Sequence, residues 1–590
     1  METLIGAALP AIRWLHLVAL LAALGAEAFR LLSHHRLATD AKGAALLGGV
    51  AVYARLCMAA AFVSGIAWFW LQGGAMLGRP LDGVEAVRTV AGTRFGEMLL
   101  LRAGLLVLAL AFAQGRGPMR VAAPAWLAAA AALQGWLGHG AATDPVTASA
   151  LGLHVVAAGL WLGYLPPLLL ACRRVPRLAP ALARCFTPLG LLCVAVLAVT
   201  SLLQAQVLIG TLAATLGTSY GRLALAKLAL FTTLLGLAAA NRFRFVPGAE
   251  SGDAVRGLAL SIALETGAGL AIVAVAAALA SQPPAIHEQP VWPFALRPVP
   301  GLWDDAYLRY GLLRLLVPLA MALALFILAA FVRGLRWPVL IAGVVALGFV
   351  RIPPWRPYAV AAVPTSFQLS PTGYDARSIA TGRALFGQSC ARCHGRDARG
   401  RGPDAVARAV WPPDLSAPLI AGRPSGELFW SIRHGVGPMP AAPELDDAAI
   451  WSLVDFIRLR AGARIFAPGE MGWGGATRMP GFVARCGEGG VVMPGNGAPL
   501  RIWIGRDGSG AQVQLDGAAG RCPVEDPQPL AEALAELTGG ALPPPALVLV
   551  DANGWLRRAF RTEADATPDV VASELARIRD RPLAETDRHH

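Results

Sequence analysis

GLALSIALETGAGLAIVAVAAALA, residues 257–280, carries a single charged side chain, Glu265. As a helix rising ~1.5 Å per residue, such a run reaches across the ~30 Å hydrocarbon core of a bilayer. Runs of the same kind recur on both sides of it. About ten candidate spans follow, near residues 9–31, 45–72, 95–114, 120–140, 148–171, 187–212, 220–241, 256–281, 308–332 and 337–352, the last of them short. Beyond about residue 352, Pro, Gly, Asp and Arg become frequent, and no run reaches the ~18 apolar residues of a span. The predicted architecture is a polytopic all-α membrane bundle followed by soluble domains.

Composition agrees. The 590 residues are 55% apolar and 15% charged, with a mean hydropathy of +0.53, whereas soluble domains carry about 25% charged residues. The net charge of +13 does not imply a nucleic-acid partner. Much of the arginine lies in short gaps between spans, where it acts as a topology signal, and the soluble part has no basic stripe with interleaved aromatics. His34, His35, Arg36 and Lys42 follow span 1, and Arg116 and Arg120 follow span 3. Arg173, Arg174, Arg177 and Arg184 follow span 5, Arg242, Arg244 and Arg256 follow span 7, and Arg333 and Arg336 follow span 9. Residues 141–147 and 213–219 contain no Lys or Arg. This alternation predicts that both termini, and everything after about residue 353, lie outside the cytoplasm. Met1-Glu2-Thr3-Leu4 lacks the basic start of a cleaved signal, so the first span reads as a retained helix.

The soluble part contains Cys390-Ala391-Arg392-Cys393-His394. C-x-x-C-H is the attachment pattern of a c-type haem. One helical turn presents both thiols to the haem vinyl groups, and the histidine reaches the iron. A bare CxxC also suits a redox dithiol or half a zinc site, and the following histidine favours haem. Downstream, Gly435-Val436-Gly437-Pro438-Met439-Pro440 reads as a loop able to fold a thioether over the iron, the His/Met pairing that raises haem potential. His434 competes with Met439 for that position, and Met439 is favoured. A helix near 376–389 precedes the motif, and Leu445 to Leu459 reads as an amphipathic helix through Ile450, Trp451, Val454, Phe456 and Ile457. Residues 376–462 thus resemble a small class I cytochrome c. The resemblance implies an all-α fold, covalent haem c on the outer face of a bacterial inner membrane, and a role in passing electrons.

In the membrane part, His16, His139, His154 and His287 fall near the outer level of their spans, whereas His34 and His35 lie among the inner loop charges. Singly, each caps a helix end or makes one interhelical hydrogen bond. Together they suit a metal, because imidazole binds copper, zinc or iron. Met98, Cys57 and Met58 lie within reach as softer ligands. Arg102, Lys227 and Glu265 require partners inside the bilayer. Pairing between helices is the primary expectation, and a transport-path role for Glu265 the second. Arg13-Trp14-Leu15-His16, Leu153 to Gly163, Thr218 to Lys227, Ala263-Leu264-Glu265 and Pro283 to Glu288 resemble the copper resistance protein D family over about residues 5–295. That resemblance implies copper handling, with His16, His139, His154 and His287 as copper ligands.

Residues 463–590 form a further unit. Strands are expected at Leu500 to Ile504, Ala546 to Val550 and Trp555 to Phe560, with helices at Gln528 to Leu537 and Asp569 to Arg579. The order β–α–β–β–α resembles a small α/β thioredoxin-like domain, but without a CxxC. Cys486 and Cys522 either form a disulfide, as an oxidising compartment favours, or hold Cu(I). The expected division is 1–295 copper resistance protein D-like, 296–352 two further helices, 353–375 linker, 376–462 cytochrome c and 463–590 α/β. The expected function is copper transport or resistance in the inner membrane, with a periplasmic haem domain that couples copper redox state to uptake. Its partners would be copper ions, membrane lipid and a periplasmic redox protein or copper chaperone. It reads as an electron carrier and transporter rather than a turnover enzyme. The alternatives are a respiratory membrane cytochrome whose histidines bind b-type haem, and copper delivery for oxidase assembly.

Overall fold

The computed structural model describes residues 2–114, 119–137, 144–247, 252–299, 301–332, 334–465, 477–486, 491–495, 497–504, 510–515, 520–537, 546–560 and 565–580. They fall into two units, Met1–Pro290 and Val291–His590.

The first unit is a helical bundle of α1 (Glu2–Leu37), α2 (Ala41–Leu77), α3 (Gly83–Ala91), α4 (Arg94–Ala113), α5 (Met119–Ala132), α6 (Pro145–Leu162), α7 (Leu165–Arg174), α8 (Ala179–Leu208), α9 (Leu212–Gly217), α10 (Ser219–Ala240) and α11 (Gly252–Leu279). Helix starts lie where short polar side chains can cap them: Asp40 accepts from Gly43 N, Thr93 from Gly96 N, Asp144 from Thr147 N and Thr218 from Gly221 N. Without a hydrophobic drive between helices in lipid, close packing relies on small residues. A Cβ on Gly25 of α1 would lie 2.0 Å from the Gly163 carbonyl carbon, and one on Gly163 would lie 2.0 Å from Leu21 O. These glycines set how near α1 approaches the α6–α7 corner.

Among the described residues, eight helical stretches are long and apolar enough to cross a membrane. The expected fourth and tenth spans are shorter, at Met119–Ala132 and Arg336–Gly348. Contacts elsewhere show that α5 still traverses the bundle. Arg13, near the start of α1, donates to Gln72 at the end of α2 and to Ala280 O and Ser281 Oγ beyond the end of α11. The C-terminal ends of α2 and α11 therefore share one level. An even number of traverses must separate them, and the count between them is even only if α5 is included.

The second unit begins with β1 (Leu296–Pro298), α12 (Ala306–Phe331), α13 (Arg336–Gly348) and β2 (Ala359–Ala361), which pairs antiparallel with β1. Helix α13 is shorter than a full span, but the chain returns beside α12: Arg351 N bonds Arg314 O at 3.2 Å and the Tyr358 hydroxyl bonds Leu308 O at 3.2 Å. The stretch 353–375, expected as a linker, packs instead. Thr365 Oγ1 donates to Gly426 O at 2.5 Å, and Ser366 Oγ donates to Glu427 at 3.2 Å. Glu427 also forms a buried ion pair with Arg297 at 2.7 Å.

The haem-type domain follows: α14 (Ala376–Leu385), α15 (Ala391–His394), α16 (Pro418–Ala421), α17 (Ser425–His434) and α18 (Asp447–Ile465). Helices α14 and α18 cross almost backbone to backbone, because a Cβ on Gly382 would lie 1.9 Å from Ser452 O. Beside the crossing, the buried carboxyl of Asp455 accepts from Ser378 Oγ at 2.7 Å and from Thr372. Burial pushes its pKa upward, and these hydroxyls offset part of that shift.

The remaining strands are β3 (Thr477–Arg478), β4 (Ala484–Arg485), β5 (Val491–Val492), β6 (Leu500–Ile504), β7 (Ala511–Leu515), β8 (Cys522–Pro523), β9 (Ala546–Val550) and β10 (Trp555–Phe560), with helices α19 (Pro527–Leu537) and α20 (Pro568–Asp580). The expected β–α–β–β–α elements are all present. The main sheet has the order β3-β10-β9-β6-β7-β8, and its strand pairings are antiparallel throughout. A β–α–β crossover joins parallel strands. Here β7, which the sequence reading missed, forms a hairpin with β6, and β9 pairs antiparallel with β6 on its other side. Cys486 and Cys522 are joined as a disulfide, with Cα atoms 4.8 Å apart. The Cu(I) alternative is thereby removed, since its two sulfurs are bonded to each other.

The boundary near residue 462 does not separate two cores. Ile379, Phe386, Leu453 and Phe456 share one buried cluster with Leu500, Ile502, Leu534 and Val548. Gly382→Ala is expected to force α14 and α18 apart and destabilise this shared core by about 1–3 kcal/mol. A Cβ on Gly387 meets nothing within 4 Å, so Gly387→Ala is the control. Thermal loss of the haem absorbance of the full chain should come several degrees earlier in the first variant alone.

Candidate haem centre and membrane histidines

The haem motif occupies a helix end built for tight wrapping. Helix α14 widens into a π-helical turn over Phe386–Cys390 before α15 carries the motif on to His394. Gly395, at φ +76°, ends it. The following loop folds back and satisfies the motif's carbonyls: Gly400 N bonds His394 O at 2.7 Å, Gly402 N bonds Cys393 O at 3.0 Å and Asp404 N bonds Arg392 O at 2.9 Å. A Cβ on Gly402 would lie 2.3 Å from Arg392 O, so only glycine allows that approach.

Cys390 and Cys393 are half-exposed on this turn, and His394 is buried. Burial lowers the His394 pKa, with the nearby Pro413 carbonyl opposing the shift. The neutral ring thus favoured is the form that ligates a metal. Its Nδ1 is buried and has no partner of normal hydrogen-bond geometry in the protein, and the Pro413 carbonyl is the acceptor closest to that role. Burial, then Cys393 and Glu444, push the Cys390 thiol up to about 11. Two thiols and an imidazole on one turn fit a haem c bound through Cys390, Cys393 and His394.

The expected sixth-ligand loop is a tight turn. Val436 and Met439 bond each other in both directions, at 3.1 and 3.0 Å, and Gly435 and Gly437 take positive φ. Met439 is partly buried against the same core cluster that Cys390 packs on. His434 instead lies exposed, its ring stacked 3.7 Å from that of Trp430 and its Nδ1 near Trp430 O.

Of the four membrane histidines, His16 and His154 are each held by a hydrogen bond and face a cation. His139 lies outside the described residues. His287 is exposed in a short turn, Ala285–His287. His16 is buried in α1. Its Nδ1 donates to Ala61 O at 2.8 Å, because a carbonyl can only accept. That assigns the lone pair to Nε2, which faces Nη1 of the fully buried Arg102 at 3.2 Å. His154 repeats the arrangement. Thr200 Oγ1 donates to Val196 O, so it accepts from His154 Nδ1 at 2.9 Å, and Nε2 faces Lys227 Nζ at 3.5 Å. In both, a cation occupies the lone pair that a metal would need. Among the described residues, no three His, Cys, Asp or Glu side chains come together to hold a metal ion.

Thr200 and the Arg102–His16 pairing were missed by sequence reasoning. A lone hydroxyl or guanidinium within a span shows which groups need partners but does not name the partner. Glu265 meets Asn241 across α10 and α11, the interhelical pairing expected of it.

If Met439 is the sixth ligand, Met439→His is expected to lower the haem midpoint potential by on the order of 0.1 V or more, within the roughly 0.8 V that axial ligands span. His434→Ala should leave it unchanged. Redox titration of the full chain, followed by haem absorbance, checks both.

Comparison with known proteins agrees with these two halves. Residues 1–150 match the family described as Copper resistance protein D-like, N-terminal domain, and residues 180–279 match Copper resistance protein D. Residues 377–457 match Cytochrome C oxidase, cbb3-type, subunit III. The Cbb3-type cytochrome c oxidase subunit CcoP of Azospirillum sp. (strain B510) is 33% identical over 104 residues, 17% of this chain and 35% of that protein. The chain therefore spans about a third of that relative's length. No solved structure matches. The chain thus joins a membrane region of the copper resistance protein D type to a cbb3-type cytochrome c domain.

Proposed function

We propose that this protein is an electron carrier of the bacterial inner membrane that serves copper transport or resistance. Its haem domain would lie on the periplasmic face and set the redox state of copper handled by the membrane region. The observation that supports it most is the Cys390–His394 turn, with its wrapped loop and the Met439 turn packed on one core. A bound haem c supplies one-electron transfer there. The residues of the chain hold it: Cys390 and Cys393 as thioethers, His394 as the proximal ligand, Met439 as the distal one. The alternation of loop arginines supports the periplasmic placement of both termini.

Copper enters as the substrate. His16 and His154 are held by Arg102 and Lys227, which favours a structural part for these two imidazoles. The exposed His287 is the better candidate for first contact with copper at the mouth, with His139 beside it in the proposed set. The same engaged nitrogens weigh against the alternative in which facing histidines bind b-type haem. Copper delivery to an oxidase under assembly is the second reading, favoured by the match to a cbb3-type subunit. A periplasmic redox protein or copper chaperone would be the partner in either case.

Cells carrying the wild type or Cys390→Ala/Cys393→Ala are to be compared for copper accumulation and tolerance, with covalent haem confirmed by mass spectrometry. The double variant is expected to lose the adduct and to shift copper accumulation several-fold. Equal copper handling with and without haem would discard the coupling. A spectrum of the purified wild type should show c-type bands, and b-type bands would favour the respiratory reading.

A further inference from the structure

Between α1, α2 and α4 lies a cavity of about 150 Å³. An apolar protein cavity of this magnitude accommodates a benzene-sized ring. Its walls are hydrocarbon, with Phe62, Phe69 and Leu99 among them. Ile66, Trp70 and Leu100 also line it and are about half exposed on the outside of the bundle, where lipid would lie. The cavity therefore opens sideways, toward the hydrocarbon of the bilayer.

The polar groups in the lining are His16 and Arg102. Arg102 has no exposed surface. Its Nε donates to Ala130 O at 3.0 Å and its Nη1 faces His16 Nε2. Among the described residues, its Nη2 is buried with no hydrogen-bond partner. An unpaired guanidinium nitrogen in an apolar interior is costly, and a guanidinium can only donate. The missing partner is an acceptor. The lining contains no Cys, Met, Asp or Glu, and a guanidinium repels cations, so copper does not fit.

We propose that this cavity binds a lipid-soluble ring bearing a carbonyl oxygen, the chemistry of a membrane quinone. The ring would lie among the aromatic walls, its carbonyl accepting from Arg102 Nη2, while its isoprenoid or alkyl tail leaves past Ile66, Trp70 and Leu100 into the bilayer. Gly65 keeps the interior open beside the His16 ring, where a Cβ would approach to 3.2 Å. The proposal concerns binding alone and does not depend on the copper or haem assignments.

The test is native mass spectrometry of the full chain released from detergent, titrated with decylubiquinone and, separately, with decylbenzene, which keeps the ring and tail but lacks the carbonyl. One decylubiquinone per chain is expected, bound about ten- to a hundredfold more tightly than decylbenzene, the range expected for a hydrogen bond to a charged donor. Ala103→Phe, which fills the cavity and leaves Arg102 in place, is expected to abolish the adduct, and Arg102→Met to weaken it to the decylbenzene level. Leu101→Phe, on a half-exposed neighbour outside the lining, should bind as the wild type does. Intact haem absorbance shows that each variant's soluble half is folded. Equal binding of the two probes would make the cavity a lipid-tail groove and overturn the proposal, as would wild-type binding by Ala103→Phe or no decylubiquinone adduct at all.

Discussion

A polar group taken into an apolar interior must find a partner or impose a cost of about 1–3 kcal/mol. That constraint organises both halves of this protein. In the membrane half it joins His16 to Arg102 and His154 to Lys227, each imidazole using Nδ1 to donate and Nε2 to receive a cation. In the C-terminal unit it places Glu427 against Arg297 and surrounds Asp455 with hydroxyls. These contacts connect separate helices or distant segments, so the polar groups help specify which elements lie side by side. Arg102 Nη2 is one of the buried polar atoms that find no partner among the described residues, and it lies on a cavity.

The cytochrome-type region also shows how a haem-attachment turn can be held in place. The haem turn is fixed from inside by its own loop and from behind by the α14–α18 crossing. The C-terminal sheet region then closes the outer side of that crossing. Arg377 pairs with Asp526 at 2.8 Å, Arg383 with Glu532 at 3.1 Å and Arg460 with Glu536 at 2.6 Å. The two exposed pairs contribute little each, and the Arg460–Glu536 pair is partly buried. The shared apolar core beneath them, from Ile379 to Val548, carries most of the association. The sheet region therefore acts as a support for the cytochrome helices.

Much of this was legible from local pattern. Apolar runs of fixed length mark membrane helices because the bilayer's thickness sets that length. CxxCH marks haem because two thiols and an imidazole must share one helical turn. The helices and strands of residues 500–579 were likewise readable from periodicity. The membrane histidines were legible as functional groups only in kind, since imidazole between helices suits either a metal or a hydrogen bond.

What the chain alone determined, then, was each feature set by neighbours in sequence: spans, motif and the strands of residues 500–560. The tertiary structure decided the features that depend on residues far apart in the chain. Arg102 and Lys227 met imidazoles, where the sequence reading left their interhelical partners unnamed. Cys486 met Cys522 across 36 residues. Strand β7 paired with β6 on the side opposite β9, and the cytochrome and sheet regions merged over one core. Each outcome turns on which surfaces pack together, and packing is a competition among all the chain's apolar faces that no local window contains.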